Sequence, residues 1–161
     1  MVTIKTSRKV KTAGAPRTTA SGKVAAAAGA AVKTGAGTTV SGPIPRLPKG
    51  VAGAVRAVRD KQAVDIVVLD LRKAGGFTDY FVICTGTNAR QIHAIADGVA
   101  DTLRKSFGER PVLAEGLHKS EWILLDYFNF VVHVFSRDCR AFYDLERLWG
   151  DAKRYACADT D

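Results

Sequence analysis

The apolar positions change period several times between residues 51 and 149, and each change marks an element. Val51, Ala54, Val55 and Val58 recur at helical spacing and predict a helix running to about Gln62. Residues 64–71 form a β-branched run with the composition of a strand, broken by Gly75 and Gly76. Residues 79–85 read as a second strand, and Gly86-Thr87-Asn88 as the turn into a helix. That helix carries Ile92, Ile95, Ala96, Val99 and Leu103 on one stripe, with Arg90, Asp97, Asp101 and Arg104 off it. Thr87 or Asn88 can cap its first turn, and Gly108 lies just past its end.

Residues 112–114 make a short strand, and residues 121–126 and 130–135 an antiparallel pair around Tyr127-Phe128-Asn129. A last helix over 138–149 presents Ala141, Phe142, Leu145, Leu148 and Trp149. The order α-β-β-α-β-β-β-α predicts an α/β (α+β) fold, a mixed sheet with helices packed on it. Its last two strands are apolar at nearly every position, so both faces need cover, by helices on one side and something else on the other. A partner protein is one candidate for that cover.

Charge divides the chain of 161 residues at the same place as the apolar pattern. Residues 1–59 hold 11 Lys/Arg and no acid, whereas residues 60–161 hold 13 Lys/Arg against 16 Asp/Glu. Residues 1–50 are low-complexity and poor in large apolar groups, and are expected to form a disordered basic tail. Such an arm is attracted to phosphate backbones or anionic lipid without base selectivity. Its acid-free composition also overlaps that of an organelle transit peptide. The expected division is therefore a tail over 1–50, a folded domain over 51–151 and a flexible end over 152–161. No apolar run is long enough to span a bilayer.

Cys84, Cys139 and Cys157 have no zinc-like spacing, so a reduced compartment without disulfides or a metal site is expected. Cys84, inside an apolar strand, reads as a core thiol. The Thr85-Gly86-Thr87-Asn88 turn reads as a helix cap rather than a phosphate cradle, having one glycine and no lysine. Two-metal nucleotidyl transfer needs paired carboxylates, and the Asp-x-Asp pattern occurs only at Asp159-Thr160-Asp161, where a chain end offers no scaffold.

The string contains Asp65-Ile66, Leu69-Asp70, Thr78-Asp79-Tyr80-Phe81-Val82-Ile83-Cys84-Thr85-Gly86-Thr87, Ile95-Ala96-Asp97 and Glu115-Gly116. It continues with Trp122, Asp126-Tyr127, Val132-His133-Val134-Phe135, Arg140, and Phe142-Tyr143-Asp144-Leu145-Glu146-Arg147-Leu148-Trp149. In order and spacing this resembles the ribosomal silencing factor (Iojap-related) family over residues 60–151. It departs where Asn88 stands for a customary serine, Gln91 for a common histidine, and Phe128-Asn129 for a more polar Gly-Asp type turn.

The resemblance implies a nucleotidyltransferase-like fold without catalytic carboxylates, no enzymatic activity and no cofactor. It further implies a cytoplasmic protein that binds the large ribosomal subunit through its ribosomal protein number fourteen and sterically blocks subunit association, repressing translation. The alternatives are a nucleotidyltransferase-like enzyme and an organellar large-subunit assembly factor, in a plastid or mitochondrial matrix if residues 1–50 are a transit peptide. Ribosomal RNA is a candidate partner for the tail, no membrane partner is expected, and the chain is expected to be a monomer or weak homodimer.

The expected partner-binding residues are Glu115, Trp122, Asp126 and His133. Trp122 is a large aromatic of the type enriched in binding hot spots, and Glu115 and Asp126 could meet basic groups on a ribosomal protein. His133 interrupts the apolar run 131–135. It is either a core imidazole bonded to Asp126 or a strand carbonyl, or a residue facing the partner.

Overall fold

The fold is that of a computed structural model, which describes residues 44–157. Among the described residues six strands form one sheet in the order β3-β4-β5-β2-β1-β6, namely β1 (Val64–Asp70), β2 (Tyr80–Thr85), β3 (Leu113–Glu115), β4 (Trp122–Asp126), β5 (Phe130–Phe135) and β6 (Lys153–Ala156). Only β2 and β5 run parallel, and the other pairings are antiparallel. The parallel step requires a crossover, which α2 (Ala89–Phe107) and the β3–β4 hairpin supply.

Alternation along the strands sorts the core into two layers. Ile66, Val68, Val82, Cys84, Ile123, Leu125, Val132 and Val134 face α1 (Lys49–Asp60) and α2, whose buried stripes are those the periodicity predicts. Asn88 caps α2 by accepting from the Gln91 amide at 2.9 Å, and Gly108 ends it at φ +68°. Burial pushes the Cys84 thiol up to about 12, as expected for an inert core cysteine.

The second layer holds Val67, Leu69, Phe81, Ile83, Leu124, Val131 and Phe135, and it departs from the expectation in two ways. Its cover comes from this chain, through Leu145, Trp149 and Ala152. The predicted last helix is also two helices, α3 (Arg137–Tyr143) and α4 (Leu145–Leu148), separated by Asp144 at φ +44°. A left-handed residue breaks the helical ladder. The break carries Leu145 and Trp149 onto the sheet and leaves Phe142 81% exposed, although the periodicity assigned Phe142 to the core stripe.

The boundary expected at residue 152 does not hold either. Lys153–Ala156 pairs with β1 in the register Val67↔Ala156 to Asp70↔Lys153, and Tyr155 and Cys157 are buried in the first layer. The basic tail up to residue 43 and Asp159-Thr160-Asp161 lie outside the described residues.

Arg140 ties α3 and α4 to the sheet. Its Nε and Nη2 donate to Glu146 Oε1 at 3.1 and 2.6 Å, and its Nη1 to the Asp65 carbonyl and to Thr85 Oγ1 at 2.5 and 2.8 Å. Asp65 sits at φ +51° where the β1–β2 register shifts, which turns its carbonyl out of the ladder and toward the guanidinium.

Candidate interaction face

One partly exposed aromatic surface, where β4 begins and β5 ends, is built around Trp122, the first residue of β4. Trp122 lies opposite Phe135 in the register and stacks on it with ring centroids 4.6 Å apart. Tyr143, at the end of α3, also packs against the indole, tilted at 4.5 Å, and Phe142 meets Tyr143 edge to face at 5.1 Å. Tyr143 is 40% exposed and Trp122 partly buried, so with Phe142 they make an apolar ledge open to solvent.

The ledge is anchored from beneath. The Trp122 indole N–H donates to Nδ1 of His133 at 3.1 Å, a diagonal contact between neighbouring strands. His133 is fully enclosed between Phe81, 4.5 Å away and T-shaped, and Phe135, stacked at 5.9 Å. Burial makes the imidazolium unfavourable and lowers its pKa to about 3, so the ring is neutral. Because Nδ1 accepts from the indole, the proton lies on Nε2.

The four expected contact residues therefore separate. Trp122 lies on the ledge. His133 is a core imidazole, as one of its two readings held, but its partner is Trp122 rather than Asp126 or a strand carbonyl, and full enclosure prevents it from touching a partner. Asp126 is only 4% exposed and turns its Oδ1 to the Phe128 amide at 2.8 Å, closing the β4–β5 turn. Glu115 lies partly buried on β3, opposite Leu124. Beside it Gly116, at φ +81°, runs so close to the Trp122 carbonyl that an added Cβ would lie 1.8 Å from its oxygen.

The reading of the residues omitted Phe142 and Tyr143 from the contact set. No sequence signal separates them from the buried stripe, because Phe142 keeps helical spacing with Leu145 and Trp149 and only the break at Asp144 turns it to solvent.

Asp70 is held by Arg72 at 2.7 Å, and the guanidinium keeps its carboxyl below the usual range. Among the described residues no group of three or more His, Cys, Asp or Glu is placed to hold a metal ion. No helix among them is long and apolar enough to cross a membrane.

Residues 45–161 match the family described as "Ribosomal silencing factor during starvation". The chain belongs to this family. It is 41% identical over 99 residues to a ribosomal silencing factor of Bacillus subtilis, covering 62% of this chain and 83% of that one. It is 32% identical over 97 residues to the mouse protein named for mitochondrial assembly of the ribosomal large subunit, covering 59% of this chain and 42% of the mouse protein. A crystal structure of a Chromobacterium violaceum protein superposes with a TM-score of 0.61 at 34% identity, covering 65% of this chain and 87% of that one. As a silencing factor family member, this chain belongs among regulators associated with the ribosome, and its fold is the family's mixed sheet with packed helices.

Proposed function

We propose that this silencing factor docks through the Trp122–Tyr143–Phe142 ledge on the large ribosomal subunit and prevents the small subunit from joining, so that translation is repressed. The observation that supports this is a rigid aromatic surface left open to solvent, a composition typical of the centres of protein interfaces. The docking partner on this reading is ribosomal protein number fourteen, which the family resemblance implies.

Steric occlusion needs no chemistry from the domain, and the protein acts without catalysis, metal or cofactor. Glu115, beside the ledge on β3, supplies charge toward a basic partner, and the basic tail adds affinity for ribosomal RNA by releasing counterions. The protein works in the cytoplasm, with no membrane partner. Sedimentation on a sucrose gradient tests the docking: the full chain is expected to travel with free large subunits and not with joined ribosomes. Migration with joined ribosomes or small subunits would contradict it.

Similarity to a protein named for large-subunit assembly favours a second reading, in which the same docking protects an unfinished large subunit. The two readings share the interface and differ in whether mature large subunits are bound as well as immature ones.

A further inference from the structure

At the other end of the second sheet face the β4–β5 turn presents a feature that the ledge does not explain. Phe128 is 78% exposed, yet it holds a left-handed backbone at φ +72°, a conformation that glycine adopts freely and a phenylalanine adopts at a cost. The surroundings enforce it. The Phe128 amide donates to Asp126 Oδ1 at 2.8 Å, and Thr78 Oγ1 donates to the Phe128 carbonyl at 3.0 Å. On either side the Asn129 amide donates to the Tyr127 carbonyl and the Asp79 amide to the Asn129 carbonyl. The backbone at Phe128 is thus fixed, and its ring lies in water, burying little in return.

Phe77, 50% exposed, stands across from it, and between the two lies a notch of about 280 Å³ lined by Phe77, Thr78, Asp79, Asp126, Phe128 and Asn129. Asp79 is exposed, whereas Asp126 is almost enclosed in the wall. Two phenyl rings and the exposed Asp79 carboxylate around one small cavity offer a cation both an aromatic face and a countercharge, with Asp126 adding negative charge from within the wall. A planar guanidinium suits such a place better than an ammonium, because it stacks on a ring while its edge donates to a carboxylate.

We infer that this notch is a second contact point of the domain, and that it receives an arginine side chain from a basic protein partner. It rests on the docking reading above in one respect, that the partner is a ribosomal protein. It lies at the Phe130 end of β5, while the ledge lies at the Phe135 end, about 17 Å away at the rise of a strand. A single partner surface could reach both, and two separated contacts would fix its orientation.

Two measurements test the inference, the first without the ribosome. In amide NMR spectra of the full chain, millimolar arginine amide is expected to shift residues 77–79 and 126–129 saturably, with the response lost in Phe128→Gly and reduced in Asp79→Asn. No shift, or equal shifts at unrelated carboxylates such as Asp138 and Asp151, would overturn the site. In the second, Phe128→Gly is expected to bind large subunits roughly tenfold more weakly, within the range of one lost cation–π contact. Its unfolding midpoint should equal or exceed that of the wild type, because glycine relieves the turn.

A lower midpoint would make Phe128 a structural residue and overturn the inference. So would unchanged binding, or a self-association of the wild type that Phe128→Gly abolishes. If the wild type itself does not bind large subunits, the docking reading fails together with the ribosomal identity of the partner, whereas the arginine measurement still decides the notch.

Discussion

The indole N–H of Trp122 is bonded to Nδ1 of His133 at 3.1 Å, which joins the most solvent-facing strand aromatic of the ledge to a fully enclosed imidazole. The orientation of the ledge thus depends on a residue that no partner can touch. His133→Leu removes the acceptor and leaves the indole N–H without it, whereas His133→Asn keeps an oxygen near the position of Nδ1. Both disturb the packing, asparagine by leaving a cavity and leucine by its different shape, but binding to large subunits should fall further in His133→Leu than in His133→Asn. Equal losses would mean that the bond does not orient the ledge.

The same histidine gives folding a pH dependence. Unfolded, His133 titrates near its ordinary value of 6.5; folded, it stays neutral until about pH 3. Between those limits the unfolded chain takes up a proton that the folded chain refuses. Its stabilising neutrality is complete above pH 6.5, and stability falls as the pH drops, by up to about 1.4 kcal/mol per unit. Urea denaturation from pH 7 to 5 should show this slope, and His133→Asn should flatten it. The carboxylates lowered by ion pairs, Asp70 and Asp101, act in the same direction but at lower pH.

Arg140 and Glu146 are each only 12% exposed as side chains. Arg140→Met would strand the Glu146 carboxylate and two further acceptors, the Asp65 carbonyl and Thr85 Oγ1. Breaking a buried pair from one side costs roughly 3 kcal/mol or more. The denaturation midpoint should fall accordingly, with Glu146→Gln milder because a neutral amide can still accept. An Arg140→Met midpoint near the wild type would show that α3 and α4 are held by Leu145 and Trp149 alone.

Gly116→Ala should be among the most damaging single-methyl changes. Its Cβ would fall 1.8 Å from the Trp122 carbonyl oxygen at a backbone φ of +81°, so both sterics and conformation oppose it. A loss of more than about 2 kcal/mol in urea denaturation is expected, accompanied by a changed fluorescence maximum of Trp122, read in a Trp149→Phe background. An unaltered spectrum would separate this turn from the ledge.

How far the sequence reveals this molecule depends on the reach of each signal. The α2 helix was legible because its stripe, its Asn88 cap and its Gly108 end are all local. β6 was not, since Lys153-Arg154-Tyr155-Ala156 is four residues with two charges and becomes a strand only by pairing with β1. The break at Asp144 was hidden because Ala141, Leu145 and Leu148 keep helical spacing across it, while the sheet's need for cover decides the geometry. For the ledge, Trp122 could be named from composition. The partner of His133 required the cross-strand register, and the exposure of Phe142 followed only from the broken helix.

Whether the Trp122–Tyr143–Phe142 ledge docks the protein so as to keep the subunits apart is decided by the joining of purified large and small subunits. Light scattering during joining is followed with increasing full-length protein, and with the Phe142→Ala, Tyr143→Ala double variant shown to be folded by circular dichroism. The wild type is expected to suppress joining. Losing two exposed anchors costs about 2 kcal/mol or more, so the variant should need at least roughly tenfold more protein for the same effect. Full suppression by the folded variant at wild-type concentrations, or no suppression by the wild type, would contradict docking through the ledge.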